Sequence, residues 1–205
     1  MKFLGFVLIV VSALTALPSP LQAVDQRNAD WPCVQPKVPQ MAVAAMWDGP
    51  SIADVGDSWQ DDPKIKDLVS RLAARRTPLD DAEKAVAAFI TGTSAEKQDK
   101  AKKLFAGLFD TLNQERSEVM SGLERVARKE KELADKIRSD VGTLHALQDK
   151  PGEDESKITA LASQVEWSTR IFEDRRKTIR YVCEVPTTIE QRTFALARAI
   201  RQTLD

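Results

Sequence analysis

Three stretches decide the fold of this chain: LERVARKEKELADKI at 123–137, KPG at 150–152 and ITALASQVEWSTRIFEDRRKTI at 158–179. In the two long stretches, apolar residues recur at alternating steps of three and four, which is the heptad period of helices that pack along one seam. Proline followed by glycine ends a helix and leaves only a short turn. Because two heptad helices joined by a short turn run antiparallel, the pattern predicts a coiled-coil hairpin.

Each seam also contains charged residues, and one opposite pair bears on the register. The seam residues are, in the first helix, Phe105, Phe109, Leu112, Arg116, Val119, Leu123, Val126, Glu130, Leu133 and Ile137, and, in the second, Ile158, Leu161, Val165, Ser168, Phe172, Arg175, Ile179 and Val182. If the two helices fold back at Pro151-Gly152, the residue numbers of facing positions add up to roughly 302. In this register Arg175 lies within one helical turn of the position that faces Glu130. We expect these residues to form a partly buried ion pair that fixes the alignment.

Helix signals continue on both sides of the hairpin and predict a single all-α domain over 63–205. Half of a capping box at Ser94 opens the first hairpin helix, and a full box at Thr187 and Glu190 opens the last helix. The predicted helices cover 63–75, 78–91, 95–149, 153–184 and 187–204. The second hairpin helix is the shorter one, so the start of the first needs other neighbours. We therefore expect a small helical bundle from which the hairpin projects by roughly 50 Å.

The region 24–62 differs in composition and is predicted to be an extended N-terminal arm rich in tryptophan and proline. It contains three of the four tryptophans of the chain, Trp31, Trp47 and Trp59. Proline removes a backbone donor and disfavours helix in the residue before it. Because exposed tryptophan in a loose segment is costly, we expect the arm to pack on its own body. Stacking on a glycan or a peptide is the alternative.

Residues 1–23 are predicted to be a secretory signal peptide. Lys2 supplies a positive start, 3–17 is an almost unbroken apolar run, and Ala23 is a small residue at the cleavage point. The run is shorter than the roughly 20 residues that span a bilayer. We expect an exported, periplasmic protein. The alternative is an uncleaved leader that anchors the chain in the inner membrane through 3–17.

Cys33 and Cys183 are the only cysteines of the chain. A disulfide persists in the oxidising compartment to which the predicted signal peptide directs the chain. We therefore predict that the two residues are joined, and two buried thiols are the alternative. The bond would hold the arm against the end of the second hairpin helix.

Composition excludes several classes of function. The chain has 30 basic and 31 acidic residues, which argues against broad electrostatic binding to nucleic acid. One histidine, two cysteines and no CxxC or HExxH pattern leave no metal or cofactor site to predict. The charge patterns have no catalytic spacing, so we expect a protein without enzymatic activity.

Two regions are candidate contact surfaces. Leu144, His145 and Leu147 lie near the predicted hairpin tip, where a distant partner can be reached, although they also fit a continuation of the hairpin core. The stretch 170–201 is rich in arginine and could meet anionic lipid or an acidic partner, with a solvated helix face as the alternative.

These observations favour an exported, non-enzymatic helical protein that acts by protein–protein contact. An adaptor, an accessory subunit or a chaperone-like factor of a cell-envelope complex fits this description, and a homodimer would also cover exposed seam residues. Long exported hairpins resemble periplasmic chaperones and adaptor subunits in shape alone. The alternative is a helical bundle that binds a small molecule or a cofactor.

Overall fold

The computed structural model describes residues 29–152 and 154–205, and all of its regular elements are helices. They are α1 (Val43–Met46), a 3-10 helix (Gly56–Asp61), α2 (Pro63–Ala73), α3 (Leu79–Phe89), α4 (Ser94–Gln148), α5 (Glu155–Val182) and α6 (Val185–Gln202). The prediction of an all-α fold is confirmed. No helix in these two ranges has the length and apolarity needed to cross a bilayer. The predicted signal peptide at 1–23 and the alternative anchor at 3–17 lie outside the described residues.

The core of the body surrounds the first part of α4. Residues 104–109 of this helix are all buried, so the helix is enclosed on every side over that stretch. Helices α2 and α6 and the 3-10 helix pack against it, and α3 packs mainly against α6. Helices α2, α3 and α6 each present an amphipathic face. Their most deeply buried side chains are Ile65, Leu68, Val69 and Leu72 of α2, Ala82 and Val86 of α3, and Ile189, Leu196 and Ile200 of α6. Burial of a large aliphatic side chain contributes about 1.5 to 3 kcal/mol, which makes this cluster the main source of stability.

The N-terminal arm packs on the body and is not extended throughout, because α1 and the 3-10 helix interrupt it. Trp47 stacks on Phe105 with ring centroids 4.3 Å apart. Trp59 is also buried, and its Nε1 donates a hydrogen bond to Asp110 Oδ2 at 3.2 Å. The prolines prevent long helices in this region, but burial of the two indole rings gives the arm a fixed path.

The caps predicted for two helices differ from the observed ones. The capping box of α4 is formed by Thr93 and Glu96, one residue before the predicted position at Ser94. Helix α6 begins at Val185, so the predicted cap residues lie inside the helix. There Glu190 accepts a hydrogen bond from the buried Arg116 Nε at 2.6 Å. Because a buried guanidinium requires an acidic partner, Glu190 stabilises Arg116 and does not cap the helix.

Helices α4 and α5 form the hairpin, and they lie antiparallel. Gln164 Nε2 donates to Asp140 Oδ2 at 3.1 Å, and Arg175 Nη1 donates to Glu130 Oε1 at 3.2 Å. The residue numbers of these two pairs add up to 304 and 305, which is two to three more than the predicted sum of roughly 302. Helix α5 has no buried residue, because α4 covers only one of its faces. Coiled-coil packing of the pair stays a prediction.

A disulfide joins Cys33 to Cys183 at the base of the hairpin, with Cα atoms 5.6 Å apart. The arm residues around it also contact the hairpin. Gln35 Nε2 donates to Glu184 Oε1 at 3.1 Å, and Lys37 forms an ion pair with Glu124. The disulfide and these polar contacts hold the start of the arm against α4 and the end of α5.

We predict that the double substitution of Cys33→Ser and Cys183→Ser destabilises the protein. The bond links residues 150 positions apart, and a loop of that length corresponds to about 5 kcal/mol in the chain-entropy model. Denaturant unfolding of the variant and of the wild type, each with and without reductant, measures the effect. Reductant should destabilise the wild type and leave the variant unchanged. An unaltered unfolding midpoint in the variant would contradict the prediction.

Two glycines of α4 should respond to alanine in opposite directions. A Cβ at Gly107 would lie 2.7 Å from Trp59 Cε3 and 2.9 Å from Val69 Cγ2, so Gly107→Ala should cost about 1 to 3 kcal/mol. A Cβ at Gly142 would meet no atom within 4 Å, so Gly142→Ala should stabilise the helix by about 0.5 to 1 kcal/mol. Thermal unfolding of both variants checks the contrast, and effects of the same sign would refute it.

Candidate functional site

The hairpin base has a hollow on each flank of the α4–α5 seam. The first, which we name the open groove, has a volume of about 670 Å³. Its floor is apolar and consists of Val119, Leu123, Val126, Ile179 and Val182. Val126 is 40% exposed, although it is a predicted seam residue. The two helices thus leave part of their shared apolar surface in water on this flank.

The rim of the open groove is basic. Arg125, Arg128, Lys129 and Arg175 line it together with one acidic residue, Glu132. Arg128 Nη1 lies 3.4 Å from Asp30 Oδ2, and Arg175 is paired with Glu130. Arg125 and Lys129 have no ion-pair partner in the part of the chain that the structure describes. The groove therefore combines an apolar floor with two cations available to an acidic group.

The second hollow, which we name the arm cleft, lies on the other flank and has a volume of about 420 Å³. Three segments distant in sequence form its walls. Its lining includes Ala127, Glu130 and Ala134 of α4, Phe172, Arg176 and Arg180 of α5, and Trp31, Pro32 and Val34 of the arm. The small side chains of the two alanines leave room between the helices. The disulfide holds the arm wall in place, because Cys33 lies between two of its lining residues.

Glu130 is the most deeply buried acidic side chain of the arm cleft. Its side chain is only 7% exposed, and Oε1 accepts the hydrogen bond from Arg175. Oε2 is buried and has no hydrogen-bond donor among the described residues. A buried acceptor without a donor costs about 1 to 3 kcal/mol. The structure thus brings the two predicted register residues together, whereas their role in fixing the alignment stays a prediction.

Two arginines of α5 line the arm cleft without an acidic partner among the described residues. Arg176 and Arg180 are one helical turn apart, and the guanidinium carbon of Arg176 lies 5.6 Å from the centre of the Phe172 ring. The third cation of the cleft, Lys131, is paired with Asp30 at 2.8 Å. The hydrogen bond from Lys131 lowers the pKa of the Asp30 carboxyl below its usual value. The Lys131–Asp30 pair holds the arm against α4, whereas Arg176 and Arg180 are available to bind an anionic group.

The predicted contact residues of the hairpin tip are only partly accessible. Leu144 and Leu147 are half-buried, and His145 is exposed. The observed register places Leu144 opposite Leu161, so the leucines continue the apolar stripe between α4 and α5. Contact of these tip residues with a partner stays a prediction, and the two hollows with apolar walls described above lie at the hairpin base.

The basic stretch 170–201 is divided among different environments. Arg192 Nε donates to the carbonyl of Leu72 at 2.8 Å and Nη2 to that of Thr77 at 3.0 Å, so this residue caps the end of α2. Desolvation by the surrounding body lowers the pKa of Arg192. The Arg192 guanidinium therefore binds backbone carbonyls of the body and is not part of a basic surface. Contact of the remaining arginines with lipid or an acidic partner stays a prediction.

An acidic cleft of about 660 Å³ lies beside Trp59 in the body, and it includes Asp57, Asp110 and Glu118. Burial raises the pKa of Asp110; the hydrogen bond from Trp59 opposes this shift, and the charge of Asp57 adds to it. Asp110 holds the Trp59 ring, which gives this carboxylate a role in packing. In the described residues, no group of three or more histidine, cysteine or acidic side chains is arranged to hold a metal ion.

The heptad periodicity that predicted the seam did not indicate the basic residues that line the open groove and the arm cleft. Arg125 with Lys129, and Arg176 with Arg180, are pairs four residues apart on the flanks of the seam. Like charges at this spacing repel each other on a helix. Two such pairs beside apolar seam positions are the signal that could have indicated the hollows.

We predict that Arg175→Met destabilises the protein by about 1 to 3 kcal/mol, because it leaves a buried carboxylate without a donor. Adding Glu130→Met should restore most of the stability, since an apolar pair of similar volume can replace a buried ion pair. Denaturant unfolding of both single variants and the double variant measures the coupling. Additive effects of the two substitutions would show that the pair has no energetic coupling.

Neither a protein-family model, nor a curated protein, nor a solved structure matches this chain. The two hollows at the hairpin base therefore provide the geometry from which a function can be inferred.

Proposed function

We propose that this is an exported, non-enzymatic helical protein that acts by protein–protein contact, as an adaptor, accessory subunit or chaperone-like factor of a cell-envelope complex. The open groove is the observation that carries the proposal. Export is supported by the predicted signal peptide and is compatible with the disulfide. The inner-membrane anchor at 3–17 is the alternative placement, and a periplasmic location is part of the proposal.

The shape of the groove favours a helical segment as the occupant. From Val119 to Glu132 the groove follows 14 residues of α4, and the 13 steps between the first and the last correspond to roughly 20 Å at 1.5 Å per residue. An amphipathic helix of three to four turns fits such a length and buries its apolar face on the floor. Removal of the floor from water supplies about 25 cal/mol for each Å² of apolar surface that the partner covers.

The charge of the rim indicates the chemistry of the partner. Arg125 and Lys129 complement acidic residues that flank the apolar face of the incoming helix. A second copy of the chain is disfavoured in this groove, because a twofold contact would bring two basic rims together. Dimerisation through another surface stays a prediction. Trp167 and Tyr181 on α5 are 62% and 79% exposed and are candidates for such a contact.

The alternative function, binding of a small molecule or cofactor in a helical bundle, is favoured by one observation. The arm cleft is a three-walled hollow of about 420 Å³ that contains a buried acceptor and two arginines without an acidic partner in 29–152 and 154–205. Ligand pockets commonly begin at about 300 Å³.

We predict that a photo-crosslinking amino acid in place of Val126 captures a protein partner in intact cells. Leu79 on α3 is the matched control position, because it is also apolar and is 37% exposed. The crosslinked partner peptide should carry an apolar helical face with flanking Asp or Glu. Arg125→Glu with Lys129→Glu should lower the yield about tenfold, through like-charge repulsion, whereas Lys84→Glu on α3 should leave the yield unchanged.

Three results would contradict the proposal: equal crosslinking from the Val126 and Leu79 positions, crosslinks to a second copy of the chain, or adducts with lipid alone. Purified captured partner should also bind less tightly as salt rises from 50 to 500 mM, because screening weakens contacts between exposed charges. Salt-independent binding would contradict the proposal that Arg125 and Lys129 recognise acidic residues of the partner.

A further inference from the structure

We propose that the arm cleft binds an apolar α-amino acid residue with a free carboxylate, supplied by a peptide carboxy terminus or by a free amino acid. Three features of the cleft define this ligand: a buried acceptor, two unpaired cations and an aromatic wall. The cleft shares Ile179 with the open groove but otherwise lies on the opposite flank of the seam. The inference therefore goes beyond the proposed docking function and does not depend on it.

The buried acceptor is Oε2 of Glu130. This atom lacks a donor in the part of the chain that the structure describes, and the side chain that carries it is more than nine-tenths buried and lines the cleft. Because Arg175 already neutralises the carboxylate through Oε1, Oε2 requires a hydrogen-bond donor more than a second full charge. The N–H group of an amino acid residue supplies that donor.

The unpaired cations are Arg176 and Arg180. Both line the cleft from α5 and have no acidic partner among the residues described. A planar guanidinium matches a carboxylate in two parallel hydrogen bonds, which makes arginine the preferred residue for recognising this group. The contact of Arg176 with the Phe172 ring restricts the guanidinium before a ligand arrives.

The apolar part of the ligand would lie between the arm and the helices. Trp31 and Phe172 supply aromatic surface, and Ala127 and Ala134 keep the space between them open. The volume of about 420 Å³ accommodates one large side chain with its backbone. Trp31 Nε1 already donates to the Gln35 carbonyl at 2.7 Å, so the indole offers its ring and not its N–H group.

The combination excludes simpler ligands. A fatty acid matches the arginines and the apolar wall but has no donor for Glu130. An apolar amine supplies the donor but meets two unpaired guanidinium groups of like charge. An apolar amino acid residue with a free carboxylate satisfies all three features.

Isothermal titration of the full disulfide-bonded protein tests the inference with four probes: Ala-Ala-Phe, its carboxy-terminal amide, free phenylalanine and octanoate. Ala-Ala-Phe or phenylalanine should bind, and the amide and octanoate should bind at least tenfold more weakly. Binding of the tripeptide alone assigns the site to peptide termini, and binding of phenylalanine alone assigns it to a free amino acid. Equal binding of the two shows that one residue with a free carboxylate is sufficient. Equal binding of the amide or of octanoate would overturn the inference, as would no binding of either amino acid probe.

Variants separate the two polar features. Arg176→Gln with Arg180→Gln should weaken binding of the best probe at least tenfold, and Glu130→Met should weaken it several-fold. Arg170→Gln is the matched control, because Arg170 lies on the same helix but pairs with Glu166 at 2.8 Å and does not line the cleft. Circular dichroism and thermal unfolding establish that each variant is folded.

An equal loss of probe binding in Arg170→Gln would overturn the inference. The groove variant Arg125→Glu with Lys129→Glu should leave probe binding unchanged, which keeps this test distinct from that of the docking proposal.

Discussion

Helix α4 runs unbroken for 55 residues and passes through two different environments. Around Phe105 it is enclosed on all sides, whereas beyond Glu130 none of its residues is buried. At 1.5 Å per residue it extends for about 82 Å, which is too long for a small helical body to cover. Helix α5 is the element that accompanies the outer part. Because α5 meets α4 along one face, the seam between them has two open flanks.

The disulfide makes these two flanks unequal. By joining Cys33 to Cys183 it brings the start of the arm to the end of α5. The ion pairs of Asp30 with Arg128 and Lys131 then hold the arm along one flank. That flank becomes a three-walled cleft, while the other stays an open groove with an apolar floor. One covalent link thus separates a hollow suited to a small group from one suited to a helix.

Much of the fold could be predicted from local signals. The heptad steps and the Pro151-Gly152 turn predicted an antiparallel pair, and the observed register differs from the predicted one by two to three residues. Pro151 and Gly152 lie midway between the end of α4 at Gln148 and the start of α5 at Glu155, so the difference comes from how the two helices are staggered along the seam and not from the position of the turn. The capping box moved by one residue because Thr93, and not Ser94, has the extended backbone of a cap residue.

The sequence by itself determined the helical class of the chain, the helix that turns back at a proline and glycine, and the two cysteines available for a link. These features are encoded in periodicity and in residue type over short spans. Only the tertiary structure decided which flank of the seam is covered, that Glu130 lies buried with one oxygen unsatisfied, and that Arg176 and Arg180 face the same hollow as Trp31. The walls of that hollow come from residues about 100 and 140 positions beyond the arm, and no local pattern specifies how such distant segments pack.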